Sequence, residues 1–189
     1  MKILCCYANL HPETECAVAA HAKDAEFIDV SGSELDYWRT IKAHWTGDQD
    51  LVIIEQDIEI TAEVIPTFEG CDDAWCVFTY RGPTHLGYLK HSLGCTKFSA
   101  ELQREVSITE AAGGDYDISW QFIDMTMAVH LDHLGYKPNC HGTVKHLHDY
   151  ASECDQYTTF KWGCSVNPDR SYQLYRNNPD GTCSPVEAK

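Results

Sequence analysis

The stretch LVIIEQDIEI, residues 51–60, contains the clearest strand pattern of the chain. It opens with a run of four apolar residues, which is typical of a strand that is buried on both faces. Three polar residues follow directly: Glu55, Gln56 and Asp57. We therefore predict a strand that crosses the middle of a sheet and becomes polar where it leaves the core.

On either side of this strand, short apolar runs alternate with amphipathic stretches. That alternation is the pattern of βαβ units, so it predicts an α/β fold with a mostly parallel central sheet flanked by helices. Ser33 and Asp36 resemble a capping box at the start of one helix, and Gly135 ends another. Besides the strand that begins at residue 51 and ends where the chain turns acidic, we predict strands over residues 3–7, 26–30 and 75–80. We predict helices over residues 13–22, 33–45, 63–69, 99–106 and 118–134.

The chain divides into two parts by composition. A length of 189 residues suits one domain with one core. After Tyr150 the texture changes, and Asn, Asp, Pro, Gly and Cys become frequent. We expect an α/β domain over residues 1–150 and an irregular extension over residues 151–189, with a hairpin near residues 158–164.

Charge and hydrophobicity exclude several classes of function. The net charge of −15, with no run of Lys or Arg, disfavours general affinity for nucleic acid or for an anionic membrane. No stretch approaches the roughly 20 apolar residues of a membrane span, and the apolar run at the N-terminus is too short for a signal peptide. We therefore expect a cytoplasmic protein.

The ten cysteines are scattered along a chain that is long enough to build a core without covalent links. We expect most of them to be reduced thiols. Cys71 and Cys76 are separated by four residues, and no CxxC accompanies them, so their spacing gives poor support to a structural zinc site.

The acidic end of the decisive strand is the first candidate site. Ligands of open α/β sheets bind beyond the carboxyl ends of the strands, which is where Glu55 and Asp57 fall. Carboxylate oxygens suit Mg²⁺ or Mn²⁺. The alternative is that the chain simply becomes polar as it leaves the core.

A second candidate is the histidine-rich stretch HGTVKHLH, residues 141–148. His146 and His148 would share one face of an extended segment. Imidazole ligates Mn²⁺ and Zn²⁺, so this pair is a plausible partner for a distant carboxylate. Histidines on a surface loop are the alternative, and His130 with His133 is more typical of a solvated helix face.

A third candidate is Asp124, which lies among apolar residues in ISWQFIDMTMAVHL, residues 118–131. Burial raises the pKa of a carboxyl group and can make it a usable base. A structural cap or ion pair would explain the residue equally well, and Asp117 and Asp115 are the next candidates for a base. No GxSxG, Walker A, GxGxxG or HExxH motif occurs in the chain.

These features follow the order found in one family. LVIIEQDIEI resembles the strand that carries the DxD-type metal motif of GT-A glycosyltransferases, with Gln56 interrupting the acidic pair. GCTKFSAEL, residues 94–102, is similar to the family's segment near the donor sugar and acceptor. IDMTMAVHLDHLGY, residues 123–136, places Asp124 where the family has a Glu-Asp pair, with Ile123 in place of the Glu. The resemblance covers residues 1–150 and implies a GT-A-like, Rossmann-like fold.

The resemblance also implies an activity, which is the metal-dependent transfer of a sugar from a nucleotide-sugar donor to an acceptor hydroxyl, with inversion. Asp57 with His146 or His148 would hold Mn²⁺ or Mg²⁺, and Asp124 would be the catalytic base. The residues implied to bind the donor are Tyr7, Glu55, Asp57 and Gly94.

The partners and the rival functions stay open. The acceptor could be a glycan, a small molecule or a hydroxymethylated DNA base. Compact relatives occur in bacteria and tailed phages, which implies the cytoplasm of a bacterial or phage-infected cell. The alternatives are a non-catalytic relative that binds nucleotide sugars and an unrelated metal-dependent hydrolase.

Overall fold

The structure is a computed structural model that describes residues 1–81, 88–89 and 93–147, together with the strands at residues 162–166, 172–177 and 183–185. The chain divides into two compact units, Met1–His148 and Asp149–Lys189. Within the described residues, no helix has both the length and the apolar character needed to cross a membrane.

The first unit contains nine described strands. They are β1 Lys2–Tyr7, β2 Glu26–Asp29, β3 Leu51–Glu55, β4 Ile58–Glu59, β5 Trp75–Arg81, β6 Tyr88–Leu89, β7 Cys95–Phe98, β8 Asn139–Thr143 and β9 Lys145–His146. Seven of them form the central sheet in the order β2-β1-β3-β7-β5-β6, with β8 also paired to β5. In that sheet β6 and β7 oppose the direction that the other five strands share. The remaining two, β4 and β9, pair with each other.

Six helices are described in the same unit. They are α1 Pro12–His21, α2 Asp36–His44, α3 Val64–Glu69, α4 Ala100–Glu105, α5 Ile108–Ala111 and α6 Trp120–His133. Pro12 stands in the first turn of α1, where its missing N–H costs nothing. Ser99 caps α4, and Ser107 with Glu110 forms a capping box on α5.

The core lies on both faces of the sheet, as the apolar run at residue 51 predicts. Side chains of β3 alternate between two clusters: Leu51 and Ile53 pack with α2, α4 and α6, while Val52 and Ile54 pack with α1 and α3. All four of these side chains are fully buried. The predicted α/β class, with a mostly parallel central sheet flanked by helices, is therefore confirmed.

The boundaries of the elements can be compared with the predicted ones. Strand β3 ends at Glu55, where the sequence turns acidic, as predicted. The chain then turns, and β4 pairs with β9 instead of joining the central sheet. The helix predicted from residue 33 begins at Asp36, and the Ser33 hydroxyl donates to the Asp36 carboxylate. The sequence pattern does not predict strands β6 to β9, because each is short or rich in polar residues.

The second unit contains an antiparallel sheet among its described residues. Its strands are β10 Trp162–Val166, β11 Tyr172–Asn177 and β12 Cys183–Pro185, with β11 in the middle. The sequence led us to expect an irregular extension here. The hairpin expected near residues 158–164 overlaps β10, and its first four residues lie outside the described part of the chain.

Candidate functional site

The ends of β1 and β3 lie side by side, because the two strands are parallel and Cys6 is in register with Glu55. The turn after β3 fastens the loop after β1. The Gln56 side-chain oxygen accepts hydrogen bonds from the backbone N–H groups of Ala8 and Asn9, both at 2.7 Å. Gln56, which stands between Glu55 and Asp57, therefore has a structural role of its own.

Glu55 lies at the carboxyl end of β3 and is half-buried. Its carboxylate accepts a hydrogen bond of 2.8 Å from the Tyr37 hydroxyl of α2. Burial raises the pKa of Glu55 well above its ordinary value, and the negative charges of Asp124 and Asp57 raise it further. Three acidic side chains thus act on one another at this strand end.

Asp57 follows two residues later and contacts His146, with 3.2 Å between Asp57 Oδ2 and His146 Nε2. The pairing of β4 with β9 brings the two together, since Ile58 is in register with His146 and the Leu147 N–H donates to the Asp57 carbonyl. The His146 ring stacks on Tyr80 at 4.8 Å between ring centroids, which fixes its plane.

Asp124 projects from α6 and is half-buried. Its Oδ2 accepts a 3.2 Å hydrogen bond from the Leu93 N–H. Burial raises the pKa of Asp124 to about 6, and the negative charge of Asp57 adds to the rise, while the hydrogen bond from Leu93 opposes it. The neighbouring Ile123 is fully buried in the core.

Glu55, Asp57, Asp124 and His146 are called the acidic cluster below. All four residues are predicted site residues, and the structure brings them together from β3, the following turn, α6 and β9. Tyr37 was not predicted. It follows the helical apolar pattern of α2, so its sequence gave no sign that its hydroxyl would reach Glu55.

The remaining predicted residues differ in position. Tyr7 ends β1, where it is half-exposed and in register with Asp29. Gly94 lies beside Glu55, whose N–H donates to its carbonyl at 2.9 Å. A Cβ at residue 94 would come within 2.6 Å of the Tyr80 ring, so packing alone requires glycine there. His148 lies outside the described residues.

The reserve candidates for a base have other partners. Asp117 pairs with Arg39 at 3.1 Å, and Asp115 pairs with Lys42 at 3.0 Å. Both carboxylates are well exposed to solvent. Such surface ion pairs contribute little energy and do not depend on a reaction site. Asp124 is the more suitable base on geometry.

Chemically, the acidic cluster offers several oxygen atoms and one imidazole nitrogen at one end of the sheet. Hard divalent cations such as Mg²⁺ and Mn²⁺ prefer carboxylate oxygens, and Mn²⁺ also accepts imidazole. A cation would relieve the mutual repulsion of the acids. Within the cluster, Asp57 and His146 are the pair whose facing atoms lie close together, at 3.2 Å.

No model of a known protein family matches the sequence, and no curated protein is significantly similar to it. Among solved structures, the chain is similar to A197 from STIV, known from a crystal structure. The two share 13% sequence identity, the match covers 91% of this chain and 93% of A197, and the TM-score is 0.47. This similarity says nothing about activity.

Proposed function

We propose that this chain is a metal-dependent glycosyltransferase with a GT-A-like fold, moving a sugar from a nucleotide-sugar donor to an acceptor hydroxyl with inversion. The observation that carries the proposal is the acidic cluster. Its acids come from three separate elements and meet at the carboxyl end of β3 in a mostly parallel sheet. This end of such a sheet is where α/β proteins bind ligands.

Asp57 and His146 fit the metal that this activity requires. Their facing atoms are 3.2 Å apart, close to the roughly 3 Å that separates neighbouring ligands at right angles on a cation with bonds of about 2.1 Å. Glu55 adds a negative charge near this pair, since the charge of Asp57 acts on its carboxyl group. When bound, Mn²⁺ or Mg²⁺ would neutralise the donor's diphosphate and favour its departure.

Asp124 is the proposed base. A pKa of about 6 leaves the carboxyl group ionised at neutral pH and still able to take a proton. The Leu93 N–H holds Oδ2, so Oδ1 is the oxygen left to face an acceptor hydroxyl. Asp124 would remove the hydroxyl proton as that oxygen attacks the anomeric carbon.

The donor's nucleotide would lie against the end of β1. Gln56 holds the backbone of Ala8 and Asn9 in place, which gives a rigid wall beside Tyr7. A rigid wall lowers the ordering cost of binding. The acceptor class stays open, although the net charge of −15 disfavours a long DNA duplex.

The test is thermal stabilisation by nucleoside diphosphates in the presence of Mn²⁺, followed by donor hydrolysis. A transferase should be stabilised and should slowly hydrolyse one nucleotide sugar of a panel. A non-catalytic relative would be stabilised without hydrolysis, and an unrelated hydrolase would be indifferent to nucleotide. Asp24→Ala, a change at an exposed acid, is the matched control for Asp57→Ala. If no nucleotide stabilises the protein with Mn²⁺, the proposal is wrong.

A further inference from the structure

A second group of ligand-type side chains lies near the amino end of β5. Cys71 follows α3, Cys76 is the second residue of β5, and His141 belongs to β8. Their sulfur and nitrogen atoms all lie within 4.8 Å of one another, and His141 Nε2 is 3.1 Å from Cys71 Sγ. These three residues are called the thiol cluster below.

A β-bulge brings His141 to this group. Strands β5 and β8 are parallel, with Val77 opposite Cys140 and Phe78 opposite Gly142. This register skips His141, which has no partner residue in the β5 ladder. Bulges re-aim a side chain at the expense of regular pairing. Here the re-aimed side chain points its Nε2 at Cys71.

The backbone separation of the two cysteines suits a shared cation better than a direct bond. The structure joins Cys71 and Cys76 as a disulfide, yet their Cα atoms are 7.3 Å apart. Relaxed disulfides hold Cα atoms at about 4.4–6.8 Å. Two thiolates on one zinc ion, with Zn–S bonds of about 2.3 Å, stand roughly 3.8 Å apart. A zinc ion between the sulfurs therefore accommodates the wider backbone.

A buried cation fastens the turn that carries Cys71. Lys97 lies opposite Cys76 in the β5–β7 ladder, and its ammonium donates to the carbonyls of Cys71 and Phe68. The same ammonium pairs with Asp50, with 3.5 Å between Lys97 Nζ and Asp50 Oδ2. The backbone of Cys71 is therefore held in place beside Cys76.

Asp73 places an oxygen atom beside Cys71. Its Oδ2 is 3.7 Å from Cys71 Sγ and accepts a 2.5 Å hydrogen bond from the Asn139 side chain. The separation of a sulfur and an oxygen ligand on one tetrahedral zinc ion is about 3.5 Å. Asp73 is thus placed beside Cys71, where its carboxylate could accept a hydrogen bond from a metal-bound water.

We propose that Cys71, Cys76 and His141 bind one zinc ion, with Asp73 or water completing the tetrahedron. Two thiolates and an imidazole select zinc over Mg²⁺ or Mn²⁺. The ion would link the turn between α3 and β5 to strand β8. The chain continues from β8 into β9, which contains His146. The site is separate from the acidic cluster, and the proposal does not depend on the proposed glycosyl transfer.

The experiment uses the untagged full-length chain, purified with reductant and without chelator. We expect about one zinc per chain after dialysis. Replacement by Co²⁺ should give the near-ultraviolet charge-transfer absorption of cobalt–thiolate bonds. Cys71→Ser and His141→Ala should weaken zinc binding by about 100-fold or more, and Asp73→Asn should weaken it less. Cys140→Ser, at an exposed thiol one residue from His141, is the matched control and should keep the ion.

Three results would overturn the proposal. One is wild-type protein that holds no zinc and gives no cobalt–thiolate absorption, a measurement that needs no variant to fold. Another is a Cys71–Cys76 disulfide found by mass spectrometry after thiol trapping of the reductant-purified protein. The third is equal loss of zinc in Cys140→Ser and Cys71→Ser. Asp57→Ala should leave the zinc content unchanged, which distinguishes this ion from one bound at the acidic cluster.

Discussion

The acidic cluster and the thiol cluster lie at different levels of one sheet and differ in chemistry. Glu55 ends β3. Val52 of β3 and Cys76 of β5 are both in register with Lys97, so Cys76 lies at the level of Val52 in the sheet. Three residues along a strand separate these levels by about 10 Å. The acidic cluster offers oxygen atoms and one imidazole, and the thiol cluster offers two sulfur atoms and one imidazole.

The two proposals assign two different cations with two different tasks to these clusters. Carboxylates that repel one another gain from a hard cation that exchanges readily with substrate phosphates. Thiolates bind zinc more permanently, and such sites contribute to folding. The proposed exchangeable ion is therefore at the end of the sheet where ligands bind, and the proposed structural ion is near the opposite end of β5.

Loss of the Asp57 carboxylate should have a greater effect than any other change to the two clusters. Asp57→Ala should abolish Mn²⁺-dependent nucleotide binding, because it removes the carboxylate that faces His146. His146→Ala should weaken that binding by about 10- to 100-fold. Titration calorimetry with Mn²⁺ and a nucleoside diphosphate measures both effects.

The control for this pair is Asp24→Ala, which should bind as the parent does. Circular dichroism should show an intact fold in each variant. Parental affinity in Asp57→Ala would place the divalent-metal site elsewhere in the chain.

Separating binding from chemistry sharpens the role of the acidic cluster. Asp124→Asn should keep donor and metal binding and lose transfer by roughly 10²-fold or more, because an amide cannot accept the acceptor's proton. The amide oxygen can still accept the Leu93 hydrogen bond, so local geometry should persist. Single-turnover assays of donor consumption measure the loss.

Asp117→Asn is the matched control, since this carboxylate takes part in a surface ion pair with Arg39. It should retain parental turnover. Near-parental turnover in Asp124→Asn would show that the base lies elsewhere or that the reaction retains configuration.

Breaking the thiol cluster should affect stability more than nucleotide binding. We expect His141→Ala to lower the free energy of unfolding by about 2–3 kcal/mol when zinc is present at 100 times its Kd for the parent. Nucleotide affinity should fall less than about tenfold, because His146 is also held by β4 and Tyr80. Urea unfolding with and without zinc measures the first effect. A larger loss of nucleotide affinity than of stability would contradict the division of tasks.

The sequence predicted the acidic cluster better than the thiol cluster, for a physical reason. A strand end is a local signal, so Glu55 and Asp57 could be read directly from an apolar run followed by acids. The thiol cluster depends on a β-bulge and on the pairing of two strands whose partner residues are 63 or 64 positions apart in the chain. The spacing of Cys71 and Cys76 matched no common zinc motif, and nothing in the sequence placed His141 beside them.

The same contrast explains the errors in the fold. The buried run of β3 has one structural solution, and the structure adopts it. Strand β4 is only two residues long, so its pairing with β9 defines it. The path of the chain after Glu55 is therefore a tertiary property that periodicity does not encode.

The smallest expected effect concerns the charge of Asp124 in protein stripped of metal. Its pKa is about 6 in the folded chain, against about 3.9 in an unfolded one. The folded state therefore binds the proton more tightly, and the stability that this proton contributes is fully present below about pH 4 and is lost as the pH rises through 6. In Asp124→Asn this dependence disappears.

We expect the variant and the parent to be equally stable near pH 4, and the variant to be more stable by about 1–2 kcal/mol at pH 7. This is less than the full shift in pKa implies, because Asp124 keeps some exposure to solvent. Urea unfolding in chelator, at several pH values, measures the difference, and chelation removes any zinc from both proteins alike. Asp117→Asn should gain no stability relative to the parent between pH 4 and pH 7. The difference in the free energy of unfolding between Asp124→Asn and the parent could instead stay constant from pH 4 to pH 7. That result would mean that Asp124 is already ionised throughout this range. It would remove the reason for preferring Asp124 to Asp117 as the base.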